Sequence, residues 1–197
     1  MSVKIKSTKV FKYLPCAHAQ FFDKEPDGSP GECASVHGYD RSVEFTFAGD
    51  VDAMGWIVPF GELGEVKKFL EYYLDHVTVL PANDPRLGDI PDTMKQPGSL
   101  LGTLRVLPSG VSMEMTSMFI WEHVNYYIYN VTCGRCYVEK VRVYEHDRND
   151  AWCEVDEETA KADARHKVSQ SAEVLPKKPE WQWEDPHGTI ARLNGNV

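Results

Sequence analysis

The chain has 197 residues and 21 Lys and Arg against 30 Asp and Glu, which gives a formal net charge of −9. An acidic protein of pI 5.2 is a poor candidate for binding nucleic acid through its phosphates, or an anionic membrane surface. No apolar run reaches the ~20 residues of a membrane span, and the N-terminal residues do not resemble a secretory signal. Five cysteines with irregular spacing favour reduced thiols, so we expect a cytoplasmic protein.

The hydrophobic pattern predicts strands interrupted by helices, which is typical of an α+β fold. A strand over 35–47 is indicated by Val43, Phe45 and Phe47, which alternate with polar residues. The further predicted elements are a helix over 62–77, an irregular loop over 81–99, a strand over 100–107, a helix with its N-cap at Thr116 or Ser117, and strands over 136–144 and 151–155.

The composition changes after residue 155 and becomes strongly charged. This change predicts a folded domain over 1–155 and a charged C-terminal extension over 156–197. A helix is expected over 158–174, and Trp181 and Trp183 are candidates for docking the extension onto the domain.

Histidines at two predicted strands form a candidate metal site. Residues i and i+2 of a strand share a face, so His37 and Tyr39 are expected to point the same way. His18 ends an earlier apolar stretch that could pair beside this strand. Two histidines from adjacent strands, with a third ligand two residues further on, would make a metal site with an open position. From spacing alone, two ordinary histidines are the more common case.

Three other residues could perform acid–base chemistry. Cys33 could act as a base or nucleophile if a nearby metal favoured its thiolate; otherwise it is a small buried side chain. Asp75 could orient His76 and raise its basicity, as a proton relay requires. A histidine at the end of a helix is also favourable without any function.

Glu145 continues the face that Val141 and Val143 define on their predicted strand. A buried carboxylate there needs a partner, and the N–H edge of a heterocycle would suit it. A strand that ended before Glu145 would instead leave the carboxylate in water. The pair Cys133 and Cys136 has no second pair to complete a zinc knuckle and is interpreted as structural.

These residues occur in an order that resembles the 6-pyruvoyltetrahydropterin synthase family, which includes the 6-carboxytetrahydropterin synthases of deazaguanine (queuosine) biosynthesis. The motifs that carry the resemblance are Pro15-Cys16-Ala17-His18, Cys33-x-x-x-His37-Gly38, Gly55-Trp56-Ile57-Val58-Pro59-Phe60, Leu74-Asp75-His76, Met115-Thr116-Ser117-Met118 and Val141-Arg142-Val143-Tyr144-Glu145.

The resemblance implies a T-fold, an antiparallel sheet with two helices on one face, in a subunit that oligomerises into a barrel with active sites at its interfaces. The implied substrate is 7,8-dihydroneopterin triphosphate or a related dihydropterin, with no direct contact to nucleic acid. The implied roles are Zn²⁺ held by His18, His37 and the residue at the third ligand position (here Tyr39), Cys33 as base, Asp75 and His76 as proton relay, and Glu145 and Thr116 as substrate contacts.

Several positions depart from the family pattern. Tyr39 replaces the third zinc histidine, and a phenol with a pKa of about 10 must lose its proton to bind metal well. Pro59 and Met118 replace acidic residues, and His146 follows the anchor one residue out of register. Two main hypotheses remain: a pterin synthase-like lyase of the 6-carboxytetrahydropterin type, or a non-catalytic pterin- or purine-binding T-fold protein or partner subunit. An oligomer assembled through 156–197 is a more remote third.

Overall fold

The computed structural model describes residues 5–173, with side chains described as far as residue 167. In this part of the chain the strands are β1 Lys6–His18, β2 His37–Gly49, β3 Val77–Pro81, β4 Thr103–Leu107, β5 Cys136–Tyr144 and β6 Asp150–Glu154. The helices are α1 Gly64–Leu74, α2 Met113–Val131 and α3 Glu157–Glu173. Trp181 and Trp183, the predicted docking residues, lie outside the described residues.

The described strands form one mixed sheet in the order β4-β3-β1-β2-β5-β6. The pairs β1–β2, β2–β5 and β5–β6 are antiparallel, whereas β3 is parallel to both β1 and β4. Helices α1 and α2 pack onto the sheet and share one apolar core with it. The predicted α+β arrangement of a sheet with two helices is therefore confirmed, but the sheet is mixed where an antiparallel one was expected, since β3 runs parallel to both of its neighbours.

Strand β2 supplies the centre of that core because its side chains alternate between two environments. Val43, Phe45 and Phe47 are fully buried, as the alternation predicts. Phe45 and Phe47 stack with ring centroids 5.7 Å apart. Helix α1 contributes Phe69 to the same cluster of buried side chains.

The chain between α1 and the following loop differs from the prediction. The helix ends at Leu74, with Asp75 as its C-cap, and His76 takes a left-handed φ of 54° that turns the chain out of the helix. Val77 therefore begins β3 rather than ending a helix. Each residue of β3 is buried, which suits a strand with parallel neighbours on both sides and gives no alternation for sequence analysis to detect.

Helix α2 begins earlier than predicted. Ser112 is its N-cap, and the Ser112 hydroxyl accepts a hydrogen bond from the backbone N–H of Met115 at 3.2 Å. The prediction of an N-cap at Thr116 or Ser117 is wrong, because both residues lie inside the helix and are fully buried. Both also donate to backbone carbonyls of the preceding turn.

The first part of the charged extension forms α3, one residue earlier than the predicted start. Ala160 and Ala164 are fully buried. Asn125 of α2 donates to the Ala160 carbonyl at 2.9 Å, and Lys167 donates to the Glu122 carbonyl at 2.8 Å. Helix α3 is therefore packed against α2. None of the helices in residues 5–173 is long and apolar enough to cross a bilayer.

Candidate active site

Strands β1 and β2 bring three predicted site residues together. Their antiparallel register places His18 opposite His37 and Cys16 opposite Tyr39. The His18 and His37 ring centroids are 4.3 Å apart, and the Tyr39 ring lies 6.3 Å from His18 and 5.8 Å from His37. His18 is 1% exposed and Tyr39 is 36% exposed, so the cluster runs from the core to the surface.

Arg41 is a part of this cluster that sequence analysis missed. It lies two residues beyond Tyr39 on the same face of β2 and is 0% exposed. Its Nη2 donates to Nδ1 of His18 at 2.9 Å. Its Nε and Nη1 have no hydrogen-bond partner, and none of the ion pairs formed by the described side chains involves it. Burial lowers the pKa of Arg41, while Cys16 and Glu145 raise it.

The two histidines carry their protons on different ring nitrogens. His37 Nδ1 lies 2.8 Å from the Ser35 carbonyl, which can only accept, so this nitrogen is a donor. The guanidinium of Arg41 can only donate, so Nδ1 of His18 is an acceptor. Burial, with smaller contributions from Arg41 and His37, lowers the pKa of His18 to about 3. His18 is therefore a neutral imidazole.

The residues of this cluster do not fit the predicted Zn²⁺ site as they are arranged. A zinc-binding histidine uses one ring nitrogen for the metal and donates from the other. His37 has this pattern, but His18 has the reverse one because Arg41 occupies its Nδ1 lone pair. Tyr39 is a weak third ligand. The described residues also contain no group of three or more His, Cys, Asp or Glu able to hold a metal ion.

Cys33 lies in a short turn, Glu32–Ala34, directly before β2. Its backbone N–H donates to Oδ2 of Asp23 at 2.9 Å. Cys33 is exposed, so the alternative of a small buried side chain is wrong. Slight desolvation still raises the pKa of its thiol, and the carboxylates of Asp23, Glu145 and Glu32 raise it further. The thiol is therefore protonated at neutral pH in the isolated chain.

Asp75 and His76 form a hydrogen-bonded pair at the end of α1. Nδ1 of His76 lies 2.6 Å from Oδ1 of Asp75, and the imidazole side chain is 83% exposed. The His76 backbone N–H donates to the Pro15 carbonyl at 2.8 Å, which fixes the pair beside β1. His76 borders an open groove of about 560 Å³ that Gly38 and Tyr39 also line. The groove thus joins the predicted relay to Tyr39, at the exposed end of the cluster, whereas neither His18 nor His37 lines it.

Glu145 follows the last residue of β5, so the strand ends just before it. Its side chain is nevertheless only 16% exposed. Oε2 accepts from Nδ2 of Asn149 at 3.2 Å, and the backbone N–H donates to the Asn149 carbonyl at 3.0 Å. The carboxylate influences both Arg41 and Cys33, whose pKa values it raises. Oε2 of Glu145 also lies 3.7 Å from Nε2 of His146, which contacts Tyr39, so the structure places Glu145 at the edge of the cluster.

The structure places His146 and Thr116 in environments that differ from those expected from the sequence. His146 reaches the cluster in spite of its position out of register, since its ring centroid is 5.7 Å from that of Tyr39. Thr116 is fully buried in α2, and its hydroxyl donates to the Val111 carbonyl at 3.4 Å. This environment gives no support to Thr116 as a substrate contact.

Comparison with solved structures defines the class of fold. An uncharacterized protein from Wolinella succinogenes matches with a TM-score of 0.64 and 17% identity, covering 79% of this chain and 100% of that chain. The 6-pyruvoyl tetrahydropterin synthase of Plasmodium falciparum matches with a TM-score of 0.53 and 18% identity, covering 77% of this chain and 98% of that chain. The corresponding protein of Caenorhabditis elegans matches with a TM-score of 0.50 and 16% identity, covering 78% of this chain and 97% of that chain. The predicted T-fold is therefore confirmed.

The sequence identifies the family within that fold. The model of the 6-pyruvoyl tetrahydropterin synthase family matches residues 7–158, most of the chain. No curated protein sequence is significantly similar to it. The chain thus belongs to the 6-pyruvoyl tetrahydropterin synthase family and is a divergent member of it.

Proposed function

We propose that the chain is a pterin synthase-like lyase that acts on 7,8-dihydroneopterin triphosphate or a related dihydropterin. The observation that carries this proposal is the Asp75–His76 pair, joined at 2.6 Å on the groove that Tyr39 also borders. An imidazole that is oriented by a carboxylate on an open groove can exchange a proton with a ligand bound there. Family membership supports the same class of reaction.

Glu145 is proposed to anchor the pterin ring. Oε2 is held by Asn149, while Oε1 has no hydrogen-bond partner among the described residues and can accept from a ligand N–H. A half-buried carboxylate gains most from such a donor, because burial has already removed part of its hydration. Cys33 is proposed as the base that removes a substrate proton, and His76 as the group that performs the second proton transfer.

The finer assignment follows from the resemblance of the motifs. We infer a reaction of the 6-carboxytetrahydropterin type, with a product that feeds deazaguanine synthesis in the cytoplasm. We also infer a homo-oligomer with active sites at its interfaces. Exposed apolar side chains support this inference, since Ile5, Trp56 and Phe60 line one groove of about 670 Å³ on the described surface. The division into a domain over 1–155 and an extension over 156–197 is part of the same proposal.

A second candidate, a non-catalytic pterin-binding protein or partner subunit, is favoured by the environment of Cys33. A catalytic base of this type needs a nearby cation to favour its thiolate. Here slight desolvation and three carboxylates act in the opposite direction and raise the thiol pKa. This candidate predicts that the ligand binds without being converted.

The test is turnover of 7,8-dihydroneopterin triphosphate by the purified full chain, followed by chromatography of the pterins. We expect Asp75→Asn to slow conversion by roughly 10²–10⁴-fold, the usual contribution of acid–base catalysis. The matched control is Asp92→Asn, a fully exposed carboxylate in a loop, which should change nothing. Binding of the compound without conversion, unaltered by Cys33→Ala, would establish the second candidate instead.

A further inference from the structure

We propose that Arg41 makes this site independent of metal, by holding His18 as a hydrogen-bond donor beside His37 as an acceptor. In this arrangement the two imidazoles bind a hydroxyl group of the ligand directly. The inference about metal stands on the described geometry alone, whereas the hydroxyl-bearing ligand rests on the proposed function.

The first step concerns the proton of His18. A guanidinium has five N–H donors and no acceptor, so its contact with Nδ1 of His18 requires a lone pair on that nitrogen. A neutral imidazole carries one ring proton, which must then lie on Nε2. Nε2 of His18 therefore has no lone pair for a metal ion. Binding a metal would require the proton to leave and the contact with Arg41 to break.

The second step concerns charge. Arg41 is completely buried and has no carboxylate in an ion pair with it among the described side chains. Two of its donor atoms lack a hydrogen-bond partner in the described part of the chain, and the carboxylate of Glu145 acts on its charge only through space. A dication bound by His18 would lie only one imidazole ring away from this guanidinium. Repulsion between the two cations is strong in such a poorly hydrated site.

The third step concerns His37. Its Nδ1 donates to the Ser35 carbonyl, which leaves Nε2 as an acceptor. The ring centroids of His18 and His37 are 4.3 Å apart, so an imidazole with a donor Nε2 lies next to one with an acceptor Nε2. Arg41 contributes two of the buried side-chain atoms without a partner in the described part of the chain, and neither histidine contributes one. A hydroxyl group, which both accepts and donates, complements this pair.

Zinc binding tests the role of Arg41 without any measurement of turnover. The experiment compares Tyr39→His, which restores a third imidazole, with the double variant Tyr39→His/Arg41→Met, using untagged full-length protein and isothermal titration with Zn²⁺. We expect the double variant to bind zinc roughly 10–100-fold more tightly, the usual effect of a residue that orients a metal ligand. Equal and tight binding by the two variants would overturn the proposal, because Tyr39 would then be the only defect.

A second test reads the protonation pattern of the wild-type protein directly. Nitrogen-15 NMR of the histidine side chains distinguishes the two neutral tautomers, and the His18 signal is assigned by its loss in His18→Gln. We expect the His18 proton on Nε2 and the His37 proton on Nδ1, with no zinc in elemental analysis of the freshly purified protein. A His18 proton on Nδ1, or about one zinc per chain that is lost in His37→Ala, would refute the proposal.

Discussion

The two halves of β2 present one continuous face of the sheet with opposite chemistry. In the second half, Val43, Phe45 and Phe47 are fully buried among apolar side chains. In the first half, the same face carries His37, Tyr39 and then Arg41, which is equally buried but leaves two donor atoms without partners. The side chains alternate in the same way in both halves, so the difference lies in what the side chains require of their surroundings.

This difference separates stability from function along a single strand. Burial of an aromatic ring stabilises the fold by removing apolar surface from water. Burial of an unpaired guanidinium opposes folding, because the charge loses its hydration and gains no ion pair. Among the described residues, the single hydrogen bond of the Arg41 side chain goes to His18, so its effect on that neighbour is the role that the structure supports.

The largest expected effect comes from the apolar half. Phe45→Ala removes a fully buried ring that contacts Phe11 and Phe47 at centroid distances of 5.8 and 5.7 Å. We expect the free energy of unfolding, measured with urea, to fall by about 3–5 kcal/mol. Tyr39→Ala on the same face is the matched control and should cost much less, because Tyr39 is partly exposed. Equal losses would show that the two halves of β2 are packed alike.

The second prediction concerns Arg41 and has the opposite sign. Arg41→Met replaces a buried, incompletely bonded cation by an apolar side chain of similar length. We expect the free energy of unfolding to rise by about 1–3 kcal/mol, the usual cost of a buried polar group without a hydrogen-bond partner. The measurement is urea unfolding at neutral pH. A loss of stability of several kcal/mol would mean that Arg41 has a compensating partner in the folded protein and that the halves do not differ as described.

Much of this contrast can be predicted from sequence, because it follows from periodicity. Alternation identifies the buried face through Val43, Phe45 and Phe47, and the same alternation places His37 and Tyr39 together. It also places Arg41 on that face, two residues before Val43. Sequence analysis passed over Arg41 because arginine is almost never fully buried unless it is paired. Arg41 continues the two-residue spacing of Val43, Phe45 and Phe47, and this spacing was the signal that could have identified Arg41 as buried.

The contact that defines the site cannot be read from periodicity. Arg41 reaches His18, 23 positions earlier in the chain, and this depends on the register between β1 and β2. That register shifts between Phe11 and Leu14, where Tyr13 takes a φ of 64°. Nothing in a single sequence marks a bulge at a tyrosine, since left-handed backbone is unusual for that residue. The sequence predicts which side chains face the core but not which of them meet.

The smallest predicted effect concerns His123, whose Nδ1 has a hydrogen-bond partner, in contrast to the two unpartnered donor atoms of Arg41. His123 of α2 is also poorly exposed, but its Nδ1 lies 2.8 Å from the Phe119 carbonyl and so donates to it, and its ring packs against Phe119 and Phe69. Burial lowers the pKa of His123 below its usual value. The unfolded chain therefore binds a proton more readily than the folded protein once the pH falls below about 6.5.

Because the folded and unfolded states bind protons differently, the stability of the protein depends on pH in a direction that can be measured. The contribution of His123 to stability is constant above pH 6.5 and is lost as the pH falls below it, by at most about 1.4 kcal/mol per pH unit. In His123→Phe, whose ring can keep the contacts with Phe69 and Phe119, we expect a smaller loss of stability between pH 7.5 and 5 than in the wild type. The quantity compared is the change in the free energy of unfolding between pH 7.5 and pH 5. For each protein this change is taken relative to its own value at pH 7.5. An unchanged pH dependence would mean that His123 is protonated equally in both states, and hence that burial does not keep it neutral in the folded protein.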